Sequence, residues 1–290
     1  MPQAEAETLS SGRGLSRRST ARPVRARLVE WGLIAIVVLY AAALLIGPLV
    51  AIFWSAVGEG VTEFVRQITS VDSVESLKLT LILAVAATVV NTVFGMVVAW
   101  VLVRDDFKGK RFINGLVDMP FAVSPVIAGF MLILLFGRGG WFESIVDGLG
   151  IKVVFAVPGM LIATIFISLP FVIREVMPVL AQVSADQESA AYTMGASPWQ
   201  TFWHVTLPSI RWGLLYGISL TFARAVGEIG AVLVVSGGVS RLTETSTLFI
   251  FRSLDDRNYV GAYSMAVVLA AISFIILMAI EFLKKRTEEN

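Results

Sequence analysis

No cysteine occurs in the 290 residues, and histidine occurs once, as His204. The first absence excludes disulfides, iron–sulfur clusters, thiolate nucleophiles and cysteine-based zinc sites. The second leaves no multi-histidine metal site. Charge is scarce too: Asp, Glu, Lys and Arg make up 16% of the chain, against 56% for hydrophobic residues. A soluble domain carries about a quarter charged residues, so this balance belongs in a lipid bilayer. The mean hydropathy of +0.79 agrees. No Gly-x-x-x-x-Gly-Lys-Ser/Thr sequence is present, which excludes a Walker A loop for ATP. No paired intramembrane His/Asp/Glu cluster is visible either, which argues against a membrane-embedded enzyme and against a metal site. The net charge of +1 gives no basis for a nucleic-acid partner.

What the chain does have is long apolar blocks with charges gathered between them. Residues 1–27 are polar and rich in Ser and Arg, and the apolar run from Trp31 is too long for a signal-peptide core. These residues are expected to form a disordered basic cytoplasmic tail, ahead of a membrane domain at 28–285 and a short cytoplasmic tail at 286–290. A helix needs about 20 mostly apolar residues to cross the hydrocarbon core. Stretches 31–54, 77–103, 119–136, 154–173, 213–236 and 260–283 qualify. The fold class is therefore all-α, a polytopic membrane protein with six transmembrane helices.

Basic residues in the short connections set the orientation. Arg13, Arg17, Arg18, Arg22, Arg25 and Arg27 precede the first span. Arg104, Lys108, Lys110 and Arg111 follow the second, and Lys284, Lys285 and Arg286 follow the last. The opposite connections hold only Arg66, then Arg138 and Lys152, although Arg241, Arg252 and Arg257 between the last two spans run against the trend. Both termini are expected in the cytoplasm, with the spans in the plasma membrane.

The longest polar interruption, residues 174–212, is cytoplasmic by alternation and reads as helical. Ser184 or Asp186 is placed to cap a helix, Ala190 and Ala191 favour its propagation, and Gly195 breaks it. Pro198 after Ser197 opens a second short helix, and Pro208 is expected to separate that helix from the fifth span. A structured helical pair at a membrane surface suggests a docking site for another protein. Trp199, Phe202 and Trp203 are expected to pack it against other helices or that partner, and His204 to lie at its surface.

Within this segment Glu188-Ser189-Ala190-Ala191-Tyr192-Thr193-Met194-Gly195, followed by Val205-Thr206-Leu207-Pro208, resembles the coupling loop of ABC importer permeases. The family pattern is Glu-Ala-Ala, three residues, Gly, nine residues, Ile, one residue, Leu-Pro. Ala190, Ala191, Gly195, Leu207 and Pro208 match it, and Val205 replaces the isoleucine. Ser189 stands where the family has glutamate, and Glu188 lies one position earlier. Either Glu188 supplies the acid from there or shape alone carries the function. The small alanines suit close approach to a partner, and Gly195 suits a tight turn.

Further blocks run through the membrane region: Met119-Pro120-Phe121-Ala122-Val123-Ser124-Pro125-Val126-Ile127-Ala128-Gly129, Gly139-Gly140-Trp141, and Arg224-Ala225-Val226-Gly227-Glu228-Ile229-Gly230-Ala231-Val232. They resemble sulfate/thiosulfate permeases, the W-type subunit more than the T-type. That resemblance implies a type I importer permease fold with residues 184–208 as the coupling segment. It implies a heterodimer with a T-type permease, two cytoplasmic ATPase subunits that hold ATP and Mg, and an extracytoplasmic sulfate-binding protein. No cofactor is expected on this chain. A permease for another oxyanion such as molybdate is the near alternative. A self-sufficient secondary transporter is the alternative from another class, but no convincing internal repeat is visible.

Arg224 and Glu228 lie four residues apart inside the fifth expected span, near mid-bilayer if the helix starts at Gly213. Charges at that depth face protein or a water-filled path. Two roles are open: part of an anion pathway, or a mutually neutral pair that fixes packing. A neutral pair attracts sulfate little, which favours the second. Gly95/Ala99, Gly213/Gly217 and Gly227/Ala231 are spaced for close helix approach, and Pro120 and Pro125 are expected to kink or break the third span.

Overall fold

The computed structural model describes residues 24–288. The expected tail residues 1–23, together with 289 and 290, lie outside the described residues. The chain divides into two units, residues 1–51 and 52–290. Most of α1 (Val24–Val57) forms the described part of the first. It starts inside the stretch expected to be tail, and its most apolar 18-residue window has no buried residue. A helix apolar all round belongs among lipids or other membrane helices.

The second unit runs α2 (Val61–Ile68), α3 (Val71–Arg104), α4 (Lys110–Ala122), α5 (Pro125–Phe136) and α6 (Glu143–Gly148). It continues with α7 (Val157–Gln182), α8 (Ala185–Thr193), α9 (Pro198–Thr201), a π-turn at Phe202–Thr206, and α10 (Leu207–Val226). Then come α11 (Gly230–Val235), α12 (Ser246–Asp255) and α13 (Tyr259–Glu288). Among the described residues there is no strand.

Among the described residues, four helical stretches are long and apolar enough to cross a membrane: Glu30–Val57, Val71–Arg104, Val157–Gln182 and Tyr259–Ala279. The third expected span is not straight. α4 and α5 qualify only as a pair, and they meet at 111°. Pro120 rides inside α4, whereas Pro125 opens α5 and keeps Ser124 extended, at ψ 136°. The residue before a proline is pushed out of the helical region, so the bend falls at 123–124. The fifth expected span is broken as well, between Val226 and Gly230. Among the described residues, four of the six expected crossings are clear spans and a fifth is the bent pair, while α10 and α11 do not qualify by length and apolarity.

α7 is the central helix, running nine residues past the end of its expected span. Val172, Ile173, Val176 and Leu180 on its flank bury against Ala99 and Leu102 of α3 and Ile210 of α10. Small residues set these distances. A Cβ on Gly95 would stand 3.2 Å from Val172 Cβ, one on Gly217 3.1 Å from Val172 Cα, and one on Gly213 2.7 Å from Val179 Cγ2. Gly95 and Gly217 therefore meet Val172 from α3 and α10. The Gly227/Ala231 spacing does no such work, because a Cβ on Gly227 would meet only the carbonyls of its own helix end.

Polar ties reinforce the packing. Asn91, wholly buried on α3, donates through Nδ2 to Ile165 O at 3.1 Å and Ser168 Oγ at 2.9 Å on α7. Arg174 lies inside α7 rather than in the loop expected there. Its Nε donates to Asp118 Oδ1 at 2.7 Å and its Nη1 to Asn114 Oδ1 at 2.9 Å, which fastens α4. At the far end of the bundle Arg241 Nε meets Asp72 Oδ1 at 2.6 Å, and Ser246 N–H donates to Thr80 Oγ1 at 2.7 Å. Glu244 in that loop pairs with Arg252 at 2.8 Å; burial pushes its carboxyl up, opposed by the Arg252 charge.

Candidate functional site

The segment after α7 folds as two linked helices. Ser184 caps α8, its Oγ accepting from Asp186 N–H at 3.1 Å. α8 then stops in a six-residue closing motif: Gly195 N–H donates to Tyr192 O at 3.0 Å and Ala196 N–H to Ala191 O at 3.0 Å. That pairing needs a left-handed residue between the two bonds, and Gly195 supplies it at φ +89°. α9 opens with a reciprocal cap, in which Gln200 N–H donates to Ser197 Oγ at 3.3 Å and Ser197 N–H to Gln200 Oε1 at 2.8 Å.

The expected separation at Pro208 does not occur. α9, the π-turn and α10 form one continuous helical path, with Thr201, Phe202, Thr206 and Leu207 all right-handed. Pro208 lacks an N–H and its ring crowds the carbonyl four residues back. The wider π-turn just ahead of it, closed by Leu207 N–H to Phe202 O, takes up that conflict without a break.

Only one of the two motif alanines faces outward. Ala191 is buried inside the chain beside Glu188, while Ser189 and Ala190 are exposed. Residues 188 and 191 share a face by helical spacing. One position along a helix turns a side chain by about 100°, so Glu188 points inward, away from the face that position 189 occupies. Its Oε1 meets Arg104 Nη2 at 2.9 Å and accepts from Thr206 Oγ1 at 3.1 Å. Arg104 Nη2 also donates to Val183 O at 3.1 Å. The Arg104 and Glu188 side chains are only 16% and 9% exposed.

Outward lie Met194, 82% exposed, and Trp199, 70% exposed. Trp199, Phe202 and Trp203 form an aromatic cluster, joined to α3 by an edge-on contact of Phe202 with Trp100 at 5.9 Å. Between this cluster, Tyr192 and Val97 lies a groove of about 650 Å³. His204 is exposed and bonded to Gln200 O at 2.9 Å.

The structure does not bring Arg224 and Glu228 to this place. α10 starts six residues before the expected span, so Arg224 stands about 26 Å along it from Leu207, well past the middle. Nor do the two share one helix face, because α10 ends at Val226 and Glu228 lies in the break. Glu228 reaches back to Arg224 Nη1 at 2.6 Å and accepts from Ala231 N–H at 2.9 Å. Its carbonyl accepts from Thr247 Oγ1 at 2.8 Å. With 2% of its side chain exposed, Glu228 holds the break together.

Residues 91–289 match the family model described as binding-protein-dependent transport system inner membrane component. The sulfate transport system permease protein CysW of Synechocystis sp. is 47% identical over 261 residues, covering 89% of this chain and 94% of its own. The chain belongs to the sulfate permease family of ABC importers. The CysW permease of Escherichia coli is 39% identical over 274 residues, covering 94% of each chain. In fold the permease is similar to a chain of a bacterial alginate ABC transporter solved with its alginate-loaded periplasmic protein. The TM-score is 0.76 at 16% identity, covering 91% of this permease and 96% of that chain.

Sequence reasoning missed Arg104 and Thr206, which hold Glu188 from within the chain, behind the exposed face of this site. Arg104 stood out only as one more basic residue after an apolar run, and nothing in the spacing ties it to a carboxylate 84 residues away.

Proposed function

We propose that this chain is the transmembrane permease subunit of an ATP-driven importer that carries sulfate, and thiosulfate with it, inward across the bacterial plasma membrane. The observation that carries this reading is the segment at 184–208. Each of its two helices is capped at its start, a glycine turn closes the first, and the segment is seated on the ends of α3 and α7, yet it keeps an exposed face of Ala190, Met194 and Trp199 for a partner. Glu188, Ala190, Ala191, Gly195, Leu207 and Pro208 form the coupling set. The permease itself is not catalytic. ATP and Mg are held by two separate ATPase subunits, a T-type permease completes the heterodimer, and an extracytoplasmic sulfate-binding protein delivers the ion. ATP binding closes the ATPases, the segment passes that movement to the helices, and they open outward; hydrolysis resets them inward.

The reconstituted complex is expected to take up labelled sulfate and thiosulfate, dependent on ATP and the binding protein, in preference to molybdate. Uptake without ATP would favour a secondary transporter, and a preference for molybdate would move the permease to another oxyanion.

Both termini are expected in the cytoplasm. Single cysteines at Ser10 and Asn290, in a chain with none of its own, should resist a membrane-impermeant thiol reagent in intact cells. Labelling at one terminus alone would mean an odd number of crossings.

A further inference from the structure

Residues 184–206 are joined through the chain to α7 on one side and α10 on the other. α3 has no such connection. From the geometry we infer that Arg104 is a positioning residue that latches α3 to the coupling segment, so that drive enters the bundle through a side chain as well as through the backbone. This rests on residues 184–208 being the ATPase-docking segment.

Three observations carry it. One guanidinium nitrogen, Arg104 Nη2, touches both the strand-like exit of α7 at Val183 O and the Glu188 carboxylate within α8. The same carboxylate oxygen accepts from Thr206 at the last position of the π-turn, so the exit of α7, α8 and the π-turn converge on the end of α3. The pair is shielded, and breaking a shielded pair leaves an uncompensated charge; a rim contact would slip at little cost. Glu188 is thereby occupied within this chain and is not offered to a partner.

The remainder of α3 gives the latch its reach. α3 is one uninterrupted helix of 34 residues, about 50 Å at 1.5 Å per residue. Its first half is tied to the far loop through Asp72–Arg241 and Thr80–Ser246, next to the Thr247 hydroxyl that holds the carbonyl of Glu228. α3 is thus a strut. A displacement of α8 pulls on Arg104 and arrives at the break between α10 and α11 from the opposite end.

The test uses the assembled importer with R104Q, E188Q and the exchange R104E/E188R, scored as sulfate taken up per ATP hydrolysed. R104Q is expected to keep the ATPase bound and its basal hydrolysis, while sulfate per ATP falls at least about tenfold, the size set by losing one shielded ion pair. E188Q falls in the same direction, and the exchange recovers part of the loss. Spin labels at Asp105→Cys and Thr193→Cys should give a narrow distance distribution in both nucleotide states of the parent and a broad one in R104Q. An unchanged ratio in R104Q overturns the latch, as does release of the ATPase, which would make Arg104 a scaffold for docking. Should R104Q fail to insert, an unchanged ratio in E188Q overturns it equally. If substitution at Gly195 leaves ATPase binding and uptake untouched, the docking segment itself is misplaced. If that substitution uncouples while R104Q does not, the latch alone fails.

Discussion

Gly195→Val is expected to leave the permease inserted and paired with its permease partner, while ATP-driven sulfate uptake falls at least about tenfold. Stimulation of hydrolysis by the binding protein should fall with it. The cause is the backbone. Gly195 sits at φ +89°, and a Cβ there would meet nothing within 4 Å, so the valine clashes with no neighbour in its own chain. A β-branched residue in that region of conformational space is an outlier, and holding it there costs about 1–3 kcal/mol. Releasing that strain would open the bonds from Gly195 and Ala196 back to Tyr192 and Ala191, and with them the angle between α8 and α9. Gly195→Asn separates this cause from bulk against a docked ATPase. Asparagine tolerates the left-handed region, so it should keep most of the uptake if backbone strain decides and lose it if bulk decides. Normal co-purification with the ATPase and parent uptake by the valine variant would remove Gly195 from the coupling interface.

Glu228→Ala should have the largest effect on folding. It leaves Arg224 without its carboxylate and the Ala231 N–H without its acceptor. Breaking such a pair costs on the order of 3 kcal/mol, a large share of a typical stability of about 5–15 kcal/mol. The yield of monodisperse protein in detergent should drop severely, with an earlier thermal transition. Glu228→Gln keeps the acceptor for Ala231 and should fall between. Arg224→Gln strands a buried carboxylate and should also fold poorly. A well-folded Arg224→Gln with impaired uptake, and a milder Glu228→Gln, would instead mark an anion pathway. Parent yield and transport in all three would reject both roles.

The contrast between these two sites reflects what a sequence can carry. The start and stop of α8 were legible because Ser184, Gly195 and Ser197-Pro198 act on their own neighbours. The apolar lengths of α1, α3, α7 and α13 were legible for the same reason, since lipid asks only for length and apolarity. The break after Val226 was not. Residues 213–236 are apolar on both sides of it, the Arg224/Glu228 spacing reads equally well as one unbroken helix face, and what helps stabilise the interruption is Thr247, which bonds the Glu228 carbonyl from nineteen residues away. The inward turn of Glu188 was hidden likewise, because the fold decides which face of α8 is covered. Pro208 misled in the other direction: a strong local breaker was absorbed by a π-turn that no composition announces.

Val172 carries a consequence for how this protein moves. Its backbone and side chain fill clefts at Gly95 and Gly217, with Asn91 pinning the same two helices α3 and α7 one layer away. Interlocked surfaces of this kind resist shear, because sliding one helix along another by part of a turn drives a valine into a backbone. α3, α7 and α10 should therefore not slide past one another at this layer, which leaves tilt about it as the motion that a pull on Arg104 gives α3. The helices break instead at two places, the 111° elbow between α4 and α5 and the non-helical step at 227–229, and these pack on each other: a Cβ on Gly230 would stand 2.8 Å from Pro125 Cβ. In the proposed alternating-access cycle those two places would bend together, and methionine or leucine in the Gly95 cleft would jam assembly, not that bending.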